Sequence, residues 1–310
     1  MSIVRARGLT KTFGAVTALD HVDLEIPAGR VGLVGANGAG KTTLFRLILG
    51  LSLPTSGSVE ACGIAVASDP IGVRSRIGYM PEHECLPLDQ TAADIVSTFA
   101  ELGGLPARAA RQRASEVLDL VGLDEARFRP IGGFSTGMRQ RTKLAQAIVA
   151  GPELVLLDEP TAGLDPSGRE EMLALVSRLA TFGIAVILAT HLLDDVAEVC
   201  DHVVMLDGGT LVTDAPTQSL LTRTGTVLVD VGPDGAQPLV AALIAGHRNA
   251  VVTESGVVEV TVAGEADLDE VRDVVSRLKL PLHRMTNRLT SLDEVFTHPA
   301  DSSGVMAGHK

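Results

Sequence analysis

The chain has 310 residues, more than one small core holds, so about two domains of about 150 residues each are expected. Hydrophobic residues make up 45% and aromatic residues 3%, with no Trp and one Tyr, so the core is aliphatic and no interleaved aromatic and basic residues are at hand to stack on bases. Acidic residues outnumber basic ones 38 to 26, and the net charge of −12 repels polyanions, so no nucleic-acid partner is expected. Residues 1 to about 30 alternate apolar and polar positions, as in Val22-Asp23-Leu24-Glu25-Ile26, and break at Pro27-Ala28-Gly29, which predicts half-exposed strands and a turn. Val31-Gly32-Leu33-Val34 reads as a short buried strand. It runs into Gly35-Ala36-Asn37-Gly38-Ala39-Gly40, and Lys41 to Leu49 then has helical spacing until Gly50 stops it.

From about 85 to 135 the pattern is helical, with Ala93 to Leu102 and Ala107 to Val121 separated by Gly103-Gly104-Leu105-Pro106, which predicts a helical insertion. Leu154 to Leu157 and Ala185 to Leu188 are continuous aliphatic runs, as in strands buried on both faces of a parallel sheet, with a helix from about 167 to 181 between them. After Pro216 a helix ends near Thr222, and Thr224-Gly225-Thr226 marks a boundary before a smaller α+β pattern. There Val227 to Val231 and Ala250 to Val262 alternate like strands, Glu254-Ser255-Gly256 reads as a turn, and Leu268 to Leu278 has helical period. No internal repeat is visible. Cys62, Cys85 and Cys200 form no paired motif and read as buried small hydrophobes in a reducing compartment. Met1 to Thr10 has no apolar stretch behind Arg5 and Arg7, so no signal peptide is expected, and no window approaches about 18 uninterrupted apolar residues. Membrane association is therefore expected only through a partner.

Gly35-x-x-x-x-Gly40-Lys41-Thr42 matches the phosphate-loop pattern between a strand and a helix, the order that loop requires. Its glycines let backbone N–H groups turn toward phosphates, the helix N-terminus adds positive charge, Lys41 reaches the β and γ phosphates, and the Thr42 hydroxyl ligates magnesium. Asp158-Glu159 emerges at the carboxyl end of a buried strand, where doubly wound sheets place ligands. Asp158 is expected to hold magnesium directly or through water. Glu159 is expected to orient or deprotonate the water that attacks the γ-phosphate, so ATP and Mg2+ are the expected ligands and hydrolysis the expected reaction.

Phe134-Ser135-Thr136-Gly137-Met138-Arg139-Gln140-Arg141 precedes Asp158-Glu159-Pro160-Thr161-Ala162-Gly163-Leu164-Asp165 and then Thr190-His191. That order resembles the ATP-binding-cassette (ABC) ATPases over roughly residues 3 to 222, and Ile77-Gly78-Tyr79-Met80-Pro81-Glu82 is similar to the ATPase subunits of ABC-2 type exporters, including multidrug exporters. Residues 223 to 300, ending in Ser291-Leu292-Asp293-Glu294-Val295-Phe296, resemble the small C-terminal domain of that subfamily. The resemblance implies an α/β P-loop cassette over 1 to 222, with a RecA-like core, an antiparallel β subdomain and a helical subdomain at about 85 to 150, followed by an accessory α+β domain over 223 to 310.

It further implies that Phe13 stacks on adenine, that Ala36 to Thr43 line the phosphates, that Glu82 senses the γ-phosphate and magnesium, and that His191 is the switch histidine. Ser135 and Gly137 would contact the γ-phosphate of a nucleotide held by another subunit, in a homodimer or heterodimer of ATPase subunits, and Thr136 and Asp165 are expected among the nucleotide-binding residues. Thr136 and Met138 replace the usual second glycine and glutamine of that motif, and Glu82 stands where most relatives carry Gln. Without the resemblance Phe13 reads as core, His191 as a capping or satisfied buried histidine, His83-Glu84-Cys85 as loop, and both Arg108-Arg111-Arg113 and Arg139-Arg141-Lys143 as solvated faces. The expected role is that of a cytoplasmic ATPase subunit, peripheral on the inner face of the membrane, that drives export of a drug, lipid or polysaccharide through a transmembrane permease. The rival readings are a soluble ABC-type ATPase acting on ribosomes or nucleic acid, and a nucleotide kinase.

Overall fold

Strands β1 (Ser2–Phe13) and β2 (Val16–Pro27) pair antiparallel, and a register shift between Ala6 and Leu9 moves the buried side of β1 from even positions, Val4 and Ala6, to the odd Leu9. The computed structural model describes residues 2–220, 223–253, 255–262 and 265–289. The path continues through β3 (Arg30–Val34), α1 (Lys41–Ile48), β4 (Ser56–Ala61), β5 (Ile64–Ala65), α2 (Pro70–Arg74) and β6 (Ile77–Met80). Three helices follow, α3 (Ala92–Leu102), α4 (Ala107–Leu120) and α5 (Thr136–Ile148). Alternation then resumes with β7 (Leu154–Asp158), α6 (Pro166–Thr181), β8 (Ala185–Thr190), α7 (Leu193–Val199), β9 (His202–Asp207), β10 (Thr210–Pro216) and the short α8 (Thr217–Leu220).

The chain divides into two compact units, Met1–Thr217 and the part that starts at Gln218. In the first, an antiparallel sheet of order β2-β1-β4-β5 lies in one layer and a six-stranded sheet of order β10-β9-β3-β8-β7-β6 in another. All pairings from β9 through β6 are parallel, and only the edge strand β10 is antiparallel. Helix α1 is clamped into the core that both sheets share: Leu44, Phe45, Leu47 and Ile48 are fully buried with Leu9, Leu19, Ile26 and Leu33. The Phe45 ring meets Tyr79 edge-to-face at 6.3 Å and 86°, which seats α1 against β6. The aliphatic runs of β7 and β8 are buried at every position, as expected for central parallel strands.

The second unit holds β11 (Arg223–Asp230), α9 (Pro233–Ala245), β12 (Ala250–Val252), β13 (Val258–Thr261), α10 (Glu265–Arg277) and β14 (Arg284–Leu289), with an antiparallel sheet of order β12-β13-β11-β14. Val227, Val229, Val258 and Val260 from the sheet pack with Leu239, Leu243, Val271 and Val275 from the helices. The Ser291 to Phe296 motif and Thr222 lie outside the described residues. Among the described residues no helix is long and apolar enough to cross a membrane.

Two expectations are corrected by burial. Cys62 and Cys200 are buried, the first raised to about 11 and the second to about 12 mainly by desolvation, but Cys85 is exposed because it sits in the loop after β6. Lys143 is not on a solvated face: it is 3% exposed, while Arg139 and Arg141 are half-buried and paired with Glu84 and Glu171.

Candidate functional site

Register brings the chemistry together. Val34 at the end of β3 lies opposite Thr190 of β8, Ala189 of β8 lies opposite Asp158 of β7, and Leu157 of β7 lies opposite Met80 of β6. Four neighbouring parallel strands therefore end at one edge, and the loops that follow them carry the phosphate-loop residues, His191, Glu159 and Glu82. Ala36, Asn37, Gly38, Ala39, Gly40, Lys41, Thr42, Thr43, Glu82, Asp158 and Glu159 line one cleft of about 350 Å3 there. Gly35 is not among the lining residues; its carbonyl oxygen accepts from Lys41. Phe13 does not line this cleft; it is 49% exposed, and the Lys11 ammonium lies 4.9 Å from its ring centroid, so the reading of Phe13 as a core residue is corrected.

The loop turns inward at Gly40, whose φ of 108° only glycine adopts easily and where a Cβ would come within 2.7 Å of the Ala18 carbonyl oxygen. Helix α1 starts at Lys41 without a side-chain cap, so its first N–H groups are free to serve an anion. Lys41 is buried, and its Nζ donates to the carbonyl oxygens of Gly35 at 2.5 Å and Ala36 at 3.3 Å, which holds the ammonium over the loop. It also lies 3.9 Å from Glu159 Oε1.

Asp158 is 3% exposed, and its Oδ2 accepts from the Thr42 hydroxyl at 3.2 Å and the Tyr79 hydroxyl at 3.5 Å. Burial raises its carboxyl above the ordinary range, the Thr42 hydrogen bond opposes this, and the Glu82 and Glu159 charges add to it. The Tyr79 phenol is pushed up to about 12, chiefly by burial and then by Asp158, so it remains a donor. A cation at this point would relieve the crowding of carboxylates. The Thr42 hydroxyl and Asp158 carboxylate are hard oxygen donors side by side, with Glu82 in the same cleft, and they fit a magnesium ion that takes its other ligands from phosphate and water. Among the described residues no three His, Cys, Asp or Glu side chains form a metal site by themselves, and His83-Glu84-Cys85 lies in loop.

Glu159 has a left-handed backbone, φ 49°, a conformation that costs a non-glycine residue about 1–2 kcal/mol and aims its side chain back across the strand ends. Its Oε2 accepts from the Thr190 hydroxyl at 3.1 Å and its Oε1 lies 3.0 Å from His191 Nδ1. An ionised Glu159 thus holds that nitrogen as the donor. His191 is exposed, which excludes a buried histidine, and it reaches the cleft through Glu159, not by lining it.

Ser135, Thr136, Gly137 and Asp165 are not brought to this cleft. With Met138, Gly163 and Leu164 they line a second one of about 460 Å3. Ser135 caps α5, its Oγ accepting from Met138 N at 3.2 Å, and Asp165 caps α6, accepting from Gly168 N at 2.8 Å. The residues between these two motifs and His191 are tied by a network that sequence reasoning missed. Asp195 of α7 is fully buried, accepts from the Thr161 hydroxyl at 2.6 Å and pairs with Arg169 of α6. A carboxylate four residues after His191 in an amphipathic helix carries no signal that it points inward. Asp195→Ala leaves the half-buried Arg169 guanidinium and the buried Thr161 hydroxyl without this partner, a loss of roughly 1–3 kcal/mol. Thermal unfolding is expected at a clearly lower temperature, and an unchanged midpoint would mean the pair adds nothing.

Comparison with known proteins agrees with this geometry. The family described as ABC transporter matches residues 19–162. A daunorubicin/doxorubicin resistance ATP-binding protein of Streptomyces peucetius is 33% identical over 311 residues, covering 96% of this chain and 93% of that protein. Among solved structures, a subunit of the cbiONQ ABC transporter complex from Clostridium perfringens superposes with a TM-score of 0.65 at 27% identity over 71% of this chain and 90% of that one. A dimeric ATP-binding cassette in a post-hydrolysis state with ADP and Pi gives a TM-score of 0.63 at 25% identity, over 69% and 98%.

Proposed function

The chain belongs to the ABC transporter family as an ATP-binding subunit of the ABC-2 export type, a P-loop ATPase that powers export through a separate permease, and on that premise we propose how its residues do so and what it exports. The observation that carries the proposal is the apposition of Thr42, Asp158, Glu159 and His191 at the ends of neighbouring parallel strands. Backbone N–H groups of Gly38 to Thr43 and the Lys41 ammonium take the β and γ phosphates. Thr42 and Asp158, with Glu82 beside them, would hold magnesium, which when bound would offset charge on those phosphates. Glu159 aligns the attacking water and accepts its proton, and His191 and Thr190 hold the Glu159 carboxylate in place.

The cleft at Ser135 and Asp165 closes on the nucleotide of a second subunit, homologous or identical, so that two nucleotides are buried in a two-fold dimer and hydrolysis reopens it. The division near residue 222 into a nucleotide cassette and an accessory domain belongs to the same proposal. The export cargo is a drug of the kind named for the daunorubicin/doxorubicin resistance relative, and the subunit works peripherally on the cytoplasmic face of its permease. Extraction from membranes in mild detergent tests this: a polytopic membrane protein should co-purify and raise the ATPase rate. Co-purification with ribosomes instead would overturn the transport role.

Phe13 is proposed as the adenine platform, presented in the open beside Lys11. Loss of a base–aromatic stack costs roughly 1–3 kcal/mol. Phe13→Ala should therefore raise the KM for ATP by about tenfold with kcat little changed. Equal KM values in steady-state assays would return Phe13 to a structural role.

A further inference from the structure

Helix α5 begins at the Ser135 cap and then carries Arg139, Lys143 and Ala147 at intervals of four, so these positions form one stripe along the helix. The segment that leaves β6 runs along that stripe. At its foot, Gly78 of β6 meets the helix so closely that a Cβ would stand 1.9 Å from the Ala147 carbonyl oxygen; only glycine admits this approach. One turn toward the cap, Lys143 Nζ donates to the Glu82 carbonyl oxygen at 2.9 Å. One further turn brings Arg139 Nε to 3.7 Å from Glu84 Oε1.

Lys143 is 3% exposed, and a buried ammonium is costly unless something requires it. Burial pulls the Lys143 ammonium below the usual lysine range, and Cys85 and then the Glu84, Glu82 and Asp158 carboxylates oppose this only in part, while its hydrogen bond to the Glu82 carbonyl oxygen ties the main chain of Glu82 to α5. The Glu82 side chain lines the phosphate-loop cleft, whereas Ser135, two turns up the same helix, lines the second cleft.

We infer that Lys143 is a positioning residue: it carries the position of the Glu82 segment, set by what occupies the phosphate-loop cleft, to the Ser135 end of α5. This rests on the reading of the Ser135 cleft as the contact for a second subunit's nucleotide. An apolar residue at 143 would fill the space but leave the Glu82 carbonyl without its donor, and the loop could then move without moving the helix.

The test compares Lys143→Met and Lys143→Arg in the full chain. Three readings are taken: ATP affinity by calorimetry, the kcat and KM of hydrolysis, and the ATP concentration that drives dimerisation of a Glu159→Gln parent on size exclusion. Lys143→Met should bind ATP within about threefold of the parent, lose kcat about tenfold at similar KM, and need about tenfold more ATP to dimerise. Lys143→Arg, which can still donate to the carbonyl, should recover most of both losses.

Unchanged kcat and dimerisation in Lys143→Met would overturn the inference. So would a loss of affinity equal to the loss of kcat, since Lys143 would then act on the nucleotide itself. If the Glu159→Gln parent stays monomeric with Lys143 intact, the shared-site reading has failed, and Lys143 is judged on the kcat and KM split alone. If Lys143→Met does not fold by circular dichroism, the surface variant Glu84→Ala, which cuts the adjacent tie, should shift the dimerising ATP concentration, or kcat alone where the parent is monomeric, about threefold in the same direction; no shift overturns the inference.

Discussion

Lys41→Ala is expected to bind ATP about a hundredfold more weakly than the parent, or below detection. The side chain is already in place: its ammonium is buried and held by the Gly35 and Ala36 carbonyl oxygens of the loop. Hydrogen bonds to charged groups contribute roughly 1.5–3 kcal/mol each, and with Lys41 serving two phosphates, as proposed, truncation should remove about 3 kcal/mol or more. A second effect runs the same way. Lys41 is the cation nearest Glu159, at 3.9 Å, and it also draws down the Asp158 carboxyl; without it the cleft presents Asp158, Glu159 and Glu82 to an anionic ligand. Calorimetric titration with ATP decides the matter, with thermal unfolding as the control for folding. Undiminished affinity would remove the phosphate-loop assignment.

The two halves of the site were legible in the sequence to different degrees, for physical reasons. The phosphate loop is contiguous, so strand, glycines and helix can be read without knowing the fold, and α1 starts at Lys41 as the spacing predicts. Asp158 and Glu159 were legible because four aliphatic residues before them are what a central parallel strand demands. The approach of Glu82 to Asp158 depends on β6 pairing with β7, a contact across about 75 residues that no local pattern encodes. Lys143 was misread because a helical run of Arg, Gln, Arg and Lys has the composition of a solvated face. Only the packing of α5 against β6 at Gly78 turns that lysine inward. Asp195 was hidden for the same reason. In the second unit the two helices differ: α10 shows its period plainly, whereas α9 contains Pro233, Gly235 and Pro238, residues that ordinarily break a helix, although this one runs through Pro238.

Glu159→Gln should leave ATP binding intact, abolish hydrolysis by at least about a hundredfold, and let an ATP-bound dimer accumulate. The amide keeps the length of the side chain and can still accept from the Thr190 hydroxyl, so the strained backbone at φ 49° and the cleft wall survive. What is lost is a base for the attacking water and the charge that holds His191 Nδ1 as a donor, and general-base catalysis supplies about 100- to 10,000-fold in rate. Binding does not need that charge. One fewer carboxylate beside Asp158 instead eases the repulsion on the γ-phosphate, so affinity should hold or rise slightly. If ATP joins the phosphate loop of one subunit to Ser135 of the other, as proposed, blocked hydrolysis traps the closed form by linkage between ligand binding and association. Size exclusion with ATP and Mg2+ should show a dimer for Glu159→Gln, only monomer for the parent, and no dimer once Ser135→Arg is added to the variant. Hydrolysis at the parent rate in Glu159→Gln would overturn the role assigned to this carboxylate, whereas a dimer that persists with Ser135→Arg would place the contact between subunits elsewhere than the cleft of Ser135 and Asp165.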